Sequence, residues 1–493
     1  RYFHRRSLTI SASFPFWKRG VVVLVGACLI GLCIFGIRGR TGYNPIKVSA
    51  AYFCQDAFLN QLGVSPTFNL LTSVMDDMRP ENKYLHLMDE QEAITKAQAL
   101  LNRPGDANVS PLAVYRRAAK ADSVQQRRPN VVLIMMESMS AKFMKHFGQS
   151  ETLTPFLDSL YTRSISFRNF YSAGIHTNHG LYATLYSFPA MMKRNLMKGS
   201  VIPRYSGLPT VLKENGYYNL FFMTHEGQYD NMNAFFRTNG YDEVFSQEDY
   251  PADKVVNSFG VQDDFLYDYA IPVLNQRAAT GQPFFATLLS ISNHPPYVIP
   301  PFFHPKTSEP EMQIVEYADW ALRQFFEEAR KQPWFDNTIF VLEGDHGKLV
   351  GDAECELPES YNHIPLMIYS SRIQPEEKTA FGGQVDIQPT ILGLLNIDYL
   401  QNNFGVDLLK EERPCMFYTA DNMVAGRNDT LLYLYNYETQ QELTYHIGNG
   451  KLNAVPMDDS FLPLKEYSFS MLQSAEFLVK HGKTLNSIPF TQQ

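Results

Sequence analysis

A threonine stands between two histidines in the segment SAGIHTNHGLYATL, residues 172–185. A hydroxyl is a poor nucleophile at neutral pH unless a base or a metal ion activates it, so Thr177 predicts covalent catalysis only beside such a group. Alternatively, Thr177 is the N-cap of the helix that GLYATLYSF predicts, where its oxygen accepts a backbone N–H. The two interpretations are compatible, because a cap lies at the positive end of a helix, where anions also bind.

Three further polar segments each follow a short apolar run. They are Glu137 after NVVLIMM, Asn293 and His294 after FFATLLSIS, and Asp345 and His346 after NTIFVLEG. Because ligands of an open α/β sheet bind beyond the carboxyl ends of its strands, we expect these residues and Thr177 at one edge. Carboxylate, hydroxyl and imidazole groups together suit a divalent cation. The pattern predicts a metal site with the ligands Glu137, Thr177, Asp345 and His346, in which Thr177 is also the nucleophile.

Each of these residues also has an ordinary structural interpretation. Glu137 is equally compatible with a solvated loop acid, and Asp345 and His346 with a turn, since Asp-His-Gly is a weak pattern alone. The remaining histidines, His176, His179 and His363, are better explained as surface or packing residues, and His363 is expected to make a strand-edge hydrogen bond. What favours a site is that all four segments follow strand patterns in one chain.

The elements that must position these residues alternate from Asn130 onward. Buried-strand patterns are NVVLIMM, ISFRNFYSA, GYYNLFFMT, PFFATLLSIS, NTIFVLEG and HIPLMIYS. Helical patterns are TPFLDSLYTR, GLYATLYSF, NMNAFFRTNG, residues 313–330 and DIQPTILGLL. Short apolar strands alternating with amphipathic helices predict a mainly parallel sheet covered on both faces, in one large α/β domain.

A membrane anchor is predicted near the N-terminus. Residues 21–37 form an apolar run without charge, with Lys18 and Arg19 before it and Arg38 and Arg40 after it. This length is at the lower end for a spanning helix, and flanking basic and aromatic residues are typical of one. A cleaved signal peptide has a similar apolar core, but no clear small-residue cleavage site follows here. The excess of basic residues before the run predicts that the N-terminal side is cytoplasmic and the rest of the chain lies outside.

Composition bounds the remaining possibilities. The 493 residues are 45% hydrophobic, which is enough for a full-sized core, and the formal net charge of −8 disfavours a nucleic-acid partner. The five cysteines show neither a disulfide framework nor structural zinc spacing. The apolar run and the alternating strand and helix patterns divide the chain into four parts. We expect a membrane-anchor segment (1–40), a helical connector (41–129), a catalytic domain (130–412) and an α+β extension packed on it (413–493).

The catalytic segments resemble a known family. The motifs NVVLIMMES, LTPFLDSL, SAGIHTNHGLYATLYSFP, ISNHPPY, LEGDHG and DIQPTILGLL occur in this order and spacing. They look like the lipoteichoic acid synthase family of phosphoglycerol transferases, within the alkaline phosphatase and sulfatase superfamily. The resemblance implies an alkaline-phosphatase-like α/β/α sandwich, with metal ligands at Glu137, Thr177, Asp345 and His346, the nucleophile at Thr177 and a substrate-side histidine at His294.

The resemblance also implies the reaction and its setting. The family's metal is manganese or magnesium, and zinc is less expected. Its reaction moves the glycerophosphate head group of phosphatidylglycerol onto the threonine and then to a hydroxyl of a glycan or glycolipid acceptor. In this reaction His294 is expected to serve as general acid or as a phosphate ligand. The expected location is the bacterial cytoplasmic membrane, with the catalytic domain facing the periplasm or the outside.

One segment departs from the family pattern. Where the better-known polymerases carry an aromatic-Trp-Asn-Arg stretch that holds the glycerol phosphate, this chain has Asp230, Asn231 and Met232. A thioether cannot replace a planar bidentate phosphate donor. The predicted substrate-binding residues here are Asn231 in this segment and the nearby His225 and Arg237. Further basic candidates are Lys193, Arg194 and Arg204. The charged candidates are each better explained as surface residues.

Three other functions fit parts of the pattern. A sulfatase needs a Cys or Ser in a C/S-x-P-x-R context, and the segment GIHTNHG has none. A phosphoethanolamine transferase also uses a threonine, but zinc and several disulfides are typical of that branch. A membrane-tethered glycan-binding protein on an inactive phosphatase fold is the non-enzymatic alternative, and such a site is expected to have lost a ligand, whereas all four positions here remain suitable.

Overall fold

A long apolar helix opens the chain. The structure, a computed structural model, describes residues 15–40, 45–54, 57–79, 83–116, 128–199, 202–448 and 450–485. Helix α1 (Phe16–Arg38) contains the predicted run 21–37, and none of its residues is buried. By length and composition it is the one helix in the described residues that is able to cross a membrane.

The described part of the connector contains three α-helices and one strand. Its elements are α2 (Ala57–Leu62), α3 (Pro66–Asp77), α4 (Glu90–Leu101) and β1 (Val114–Arg116). Asp89 directly precedes helix α4, and its carboxylate accepts the backbone N–H groups of Gln91 and Glu92 at 2.9 Å each. This is an N-cap, which stabilises the first turn of the helix.

The catalytic domain alternates strands and helices. Its elements are β2 (Asn130–Met136), α5 (Pro155–Tyr161), β3 (Ile165–Tyr171), α6 (Thr177–Tyr186), α7 (Leu208–Glu214), β4 (Tyr218–Met223), α8 (Met232–Thr238), β5 (Glu243–Phe245), α9 (Asp263–Ala278), β6 (Phe284–Leu289), α10 (Pro310–Ala329), β7 (Thr338–Gly344), β8 (Leu366–Tyr369), β9 (Glu376–Gly383) and α11 (Ile387–Leu394). The sheet order is β5-β4-β6-β2-β7-β8-β3-β9, and only β8 runs antiparallel to its neighbours.

Strand β2 lies in the middle of this sheet and is buried along its whole length. Val131, Leu133 and Met135 belong to the core on one face of the sheet, and the alternate residues of the strand belong to the core on the other face. Helices α5, α9 and α10 cover one face, and α6, α7, α8 and α11 cover the other. The predicted α/β/α sandwich with a mainly parallel sheet is confirmed.

A second, smaller sheet follows. Its region contains β10 (Tyr399–Gln401), β11 (Met416–Thr419), β12 (Met423–Arg427), β13 (Leu431–Asn436), β14 (Gln441–Gly448), β15 (Lys451–Val455) and α12 (Leu462–Lys480). Strands β11 to β15 form an antiparallel sheet in chain order, and β10 pairs with β1. The buried Arg413 joins this region to the large domain, because its guanidinium contacts both Asp386 before α11 and the Tyr467 hydroxyl on α12.

Candidate metal centre and active site

Two neighbouring parallel strands deliver the acidic residues. Strands β2 and β7 pair in register up to Met136 and Gly344, so Glu137 and Asp345, the residues that follow, lie side by side. The Asp345 backbone N–H donates to the Met136 carbonyl at 3.0 Å and continues the ladder by one step. Glu137 and Asp345 are both fully buried, at 1% and 0% exposure, which is rare for carboxylates without a partner cation.

His346 completes a cluster with the two carboxylates. Its Nε2 lies 3.8 Å from Glu137 Oε1 and 3.6 Å from Asp345 Oδ2, and candidate ligand atoms of the three residues all lie within 4.8 Å of one another. The Nδ1 of His346 is 2.7 Å from the Gly347 carbonyl, an arrangement that fixes the ring with Nε2 toward the carboxylates. These three residues therefore converge on one point.

Thr177 approaches the same point from a third strand. It follows β3, which runs parallel to β2 and β7 because β8 is antiparallel to both of its neighbours. Its hydroxyl donates to Glu137 Oε2 at 3.3 Å. Thr177 is the first residue of α6, and the N-cap is His176, so the interpretation of Thr177 as the capping residue is wrong. Its hydroxyl faces the carboxylates at the positive end of the helix.

The donor set fits a divalent cation. Asp345 Oδ1 accepts the backbone N–H groups of Ser138 and His346 at 2.8 and 2.7 Å, whereas its buried Oδ2 has no hydrogen-bond partner in the described part of the chain. Burial, and then repulsion from Asp345, raises the pKa of Glu137 well above its usual range. A divalent cation held by these residues would satisfy the orphan oxygen and offset the repulsion. Hard oxygen ligands with one imidazole suit Mn²⁺ or Mg²⁺, and zinc accepts them too.

Ser138 holds the acidic pair in place at a cost in backbone strain. Its φ of 50° is in the left-handed region, which residues other than glycine seldom adopt. In this conformation its N–H donates to Asp345 and its hydroxyl donates to Glu137 Oε1 at 2.7 Å. Strain of this kind is typical of functional sites, where the surrounding structure enforces it.

Gln384 couples the acidic segment to the threonine segment. Its Nε2 donates to the Asp345 carbonyl at 2.7 Å, and its Oε1 accepts the Ala173 N–H at 2.9 Å. A Cβ at Gly180 would lie 2.2 Å from the same Asp345 carbonyl, which explains the glycine in HTNHG. Only a glycine allows the first turn of α6 to come this close to the end of β7.

Asn293 and Lys348 complete the wall beside Glu137. Asn293 Nδ2 donates to the carbonyls of Glu137 and Ser138 at 3.1 Å each, and its Oδ1 accepts from Lys348 Nζ at 2.7 Å. Burial lowers the pKa of Lys348 to about 8. No sequence pattern assigns a role to Ser138, Gln384 or Lys348, although Ser138 directly follows Glu137 and Lys348 is two residues after His346.

His294 lies on the rim of the cluster. Its Nδ1 is 2.6 Å from the Pro295 carbonyl, and its ring packs on Phe259 with centroids 4.0 Å apart. Burial lowers its pKa, and the charges of Asp345, His346 and Lys348 also act on it. A rim histidine with one nitrogen fixed in this way is suited to exchange a proton at Nε2.

The three other predicted substrate-binding residues lie in the segment between β4 and β5. His225 is buried against Tyr229 with ring centroids 4.7 Å apart, and Asn231 donates to the Met197 carbonyl at 3.2 Å. Arg237 donates to Asn233 Oδ1 at 2.8 Å and to the Val244 carbonyl at 3.3 Å. The described hydrogen bonds of Arg237 go to its own segment and to β5, and its assignment to the substrate stays a prediction.

Among the other three histidines of the prediction, His176 and His363 have local hydrogen-bond partners, whereas both buried ring nitrogens of His179 have none among the described residues. His176 Nε2 pairs with Asp421 Oδ1 at 2.7 Å, and His179 is fully buried beside Tyr182. His363 Nε2 is 2.8 Å from the Arg168 carbonyl on β3, as the strand-edge interpretation expected. These contacts leave Thr177 as the residue of HTNH that reaches the acidic cluster.

A buried strand-end cluster of this kind in an α/β/α sandwich defines a class: enzymes with the alkaline phosphatase fold, which are typically dependent on a divalent metal. The family model described as Sulfatase matches residues 129–397, more than half of the chain. The chain belongs to the sulfatase family.

Within this family, the chain is similar to proteins named lipoteichoic acid synthase. Lipoteichoic acid synthase 2 of Bacillus subtilis is 24% identical over 315 residues, which is 57% of this chain and 47% of that protein. Lipoteichoic acid synthase 1 of the same organism is 25% identical over 327 residues, which is 61% of this chain and 50% of that protein. The chain thus spans about half the length of the curated relatives it matches.

Solved structures confirm the fold. An alkaline phosphatase superfamily protein from Vibrio parahaemolyticus superposes with a TM-score of 0.73 at 26% identity, covering 81% of this chain and 98% of that one. The lipoteichoic acid synthase LtaP from Listeria monocytogenes superposes with a TM-score of 0.64 at 20% identity, covering 78% and 98% of the two chains. The predicted superfamily fold is therefore correct.

Proposed function

We propose that this protein is a membrane-anchored, metal-dependent phosphoglycerol transferase with Thr177 as nucleophile. The observation that carries the proposal is the Thr177 hydroxyl at the start of α6, hydrogen-bonded to a buried carboxylate of the Glu137–Asp345–His346 cluster. The relation to lipoteichoic acid synthases supports phosphatidylglycerol as donor and a glycan or glycolipid hydroxyl as acceptor. The sequence offers no sulfatase-type nucleophile, which disfavours sulfate ester hydrolysis within the same family.

Glu137, Asp345, His346 and Thr177 would hold the metal, with Mn²⁺ preferred. When bound, this ion would lower the pKa of the Thr177 hydroxyl and neutralise charge on the phosphoryl oxygens. A ligand set of two carboxylates and one imidazole would leave such an ion electrophilic enough for both tasks. Ser138 holds both carboxylates, and Gln384 holds the backbone carbonyl of Asp345, before substrate arrives, so little reorganisation is needed.

The transfer divides into two displacements. Thr177 reacts as the alkoxide, the form that a bound cation would stabilise, and its hydroxyl proton leaves to solvent before the first turnover. Its Oγ1 attacks the phosphorus of phosphatidylglycerol, the bond from phosphorus to the diacylglycerol oxygen breaks, and the leaving oxygen takes a proton from His294. The acceptor hydroxyl then gives its proton to His294 and attacks the same phosphorus, which releases Thr177 and completes transfer of the phosphoglycerol group. This second displacement returns Thr177 as the alkoxide. One histidine thus serves as acid and then as base.

The spanning helix fits this substrate. With α1 in the bilayer, the catalytic domain lies next to its lipid donor, and the basic residues before the apolar run favour an extracytoplasmic domain. The test is turnover of defined lipids by detergent-solubilised protein with Mn²⁺. Release of diacylglycerol from phosphatidylglycerol, absent in Thr177→Ala, is expected; release only from phosphatidylethanolamine would replace the donor by the alternative one.

A further inference from the structure

Lys348 carries a charge that has only neutral partners. Its Nζ donates to Asn293 Oδ1 at 2.7 Å and to the Tyr297 hydroxyl at 3.2 Å, and it lies 4.8 Å from the centroid of the Tyr297 ring. Within the described residues no carboxylate lies within ion-pair distance of this ammonium. An ammonium has three donors, so one remains for a further partner.

The position of Lys348 is fixed by the site itself. Its backbone N–H donates to Ser140 Oγ at 2.9 Å, and its carbonyl accepts from the same hydroxyl at 3.0 Å. Asn293 joins its ammonium to the backbone of Glu137 and Ser138. A partly buried cation is costly unless an anion compensates it, so keeping an unpaired one beside the catalytic cluster indicates an anion supplied from outside the chain.

The charges of the site define that anion. The carboxylates of Glu137 and Asp345 balance one divalent cation, so the ammonium of Lys348 leaves one net positive charge. Glu311 also faces Lys348, but it is exposed and its charge is screened by solvent. A single positive charge matches a phosphodiester, which carries one negative charge, better than a phosphate monoester, which carries nearly two at neutral pH.

We propose that Lys348 is a phosphate-binding residue that holds a non-bridging oxygen of a monoanionic phosphodiester at the Thr177 site. The inference rests on the proposed function, since it assigns the substrate class of the same site. Because its ammonium donates to Asn293, the residue before His294, the charge of Lys348 lies on the His294 side of the cluster.

The test uses dimethyl phosphate, an unreactive phosphodiester, and the full chain in detergent loaded with Mn²⁺. Paramagnetic relaxation of the ³¹P nucleus, titrated with protein, measures its binding next to the metal. Lys348→Gln keeps hydrogen-bonding capacity but loses the charge, whereas Lys348→Arg keeps the charge. Loss of one charge-assisted hydrogen bond predicts about 10- to 100-fold weaker binding for the Gln variant and at most a few-fold change for the Arg variant.

A matched control separates a local effect from net charge. Lys142 is an exposed lysine next to Phe143, whose ring lies 5.4 Å from Lys348 Nζ. Lys142→Gln should bind dimethyl phosphate and Mn²⁺ like the wild type, and Lys348→Gln should still bind Mn²⁺. Equal dimethyl phosphate binding by the Gln and Arg variants of Lys348, with Mn²⁺ bound to both, would overturn the inference.

The design also separates this inference from the proposed function. Thr177→Ala removes the nucleophile but leaves Lys348, so dimethyl phosphate should still bind to its Mn²⁺-loaded form. If no lipid modifies Thr177 while diester binding still depends on the charge at position 348, the proposed function fails and the Lys348 assignment stands. If Thr177 is modified and the Gln variant binds diester normally, only the Lys348 assignment fails.

Discussion

Asp345→Asn should raise the stability of the metal-free protein and lower its affinity for Mn²⁺. The substitution keeps an oxygen for the backbone N–H groups of Ser138 and His346, so the local fold is retained. It removes one of two buried negative charges and the orphan oxygen that the cluster offers to a cation. The expected result is a more stable metal-free protein that binds Mn²⁺ weakly.

The magnitude follows from the spacing of the cluster. Candidate ligand atoms lie within 4.8 Å of one another, and two unit charges at this distance repel by about 3.5 kcal/mol at an effective dielectric constant of about 20. Glu137 avoids part of this cost by taking up a proton, since burial and Asp345 raise its pKa. We therefore expect a gain of about 1–3 kcal/mol for the metal-free variant at mildly alkaline pH, shrinking as the pH falls.

Metal binding should show the reverse. Loss of residues that merely support metal ligands costs about 10- to 100-fold in affinity, so loss of a charged ligand should cost more than about 100-fold. Calorimetric melting in EDTA and in Mn²⁺ measures the two effects in the same samples. A metal-free variant that melts below the wild type, or one that binds Mn²⁺ equally well, would refute the assignment of Asp345 as a ligand.

Asp319→Asn is the matched control for this experiment. Asp319 is a buried aspartate that accepts the backbone N–H groups of Phe156 and Leu157 at 2.9 Å each, at the start of α5. Asp319 is not one of the three residues of the metal cluster, Glu137, Asp345 and His346. Its Asn variant should therefore bind Mn²⁺ with wild-type affinity, whatever it does to stability.

Three further outcomes follow from the structure. His294→Gln should lower kcat for lipid turnover by about 10²- to 10⁴-fold with Mn²⁺ affinity unchanged, as loss of a general acid–base group predicts; unchanged kcat would exclude that role. Burial raises the pKa of Asp319 to about 7, so its contribution to stability is present at acid pH and is lost as the pH rises to about 7. Melting temperatures from pH 4 to 8 should thus increasingly favour Asp319→Asn, and a constant difference would contradict the raised pKa. Arg413→Met leaves the fully buried Asp386 unpaired and should destabilise the protein by about 3–5 kcal/mol in denaturant unfolding, whereas a change below about 1 kcal/mol would contradict the pair's role.

Much of the large domain was predictable from apolar patterns. Strands β2 and β7 are buried on both faces, so their sequences are continuous apolar runs that predict strands. The polar residues directly after them, Glu137 and Asp345, lie at the site. Helix α9 escaped prediction because its apolar residues are interrupted by acids and by Pro272 within the helix. Strand β9, EEKTAFGG, is half exposed, so its first residues resemble a charged loop.

The supporting residues of the site were less predictable. Gln384 lies just before α11, far in sequence from both Asp345 and Ala173, and only the packed fold shows that it contacts both. Thr177 is the first residue of α6 and not its N-cap. The two positions differ by one residue, and sequence patterns do not locate a helix boundary that closely. Lys348 was visible two residues after His346, but only the fold shows that no carboxylate of the described residues pairs with its ammonium.

The most direct test of the central claim is a covalent adduct on Thr177. Wild-type and Thr177→Ala proteins are incubated with Mn²⁺ and phosphatidylglycerol, quenched in acid, digested and analysed by mass spectrometry of the peptide that contains residue 177. The account predicts a glycerophosphate mass on Thr177 of the wild type and none on the variant. Lipid turnover with full rate in folded, Mn²⁺-loaded Thr177→Ala protein would contradict it.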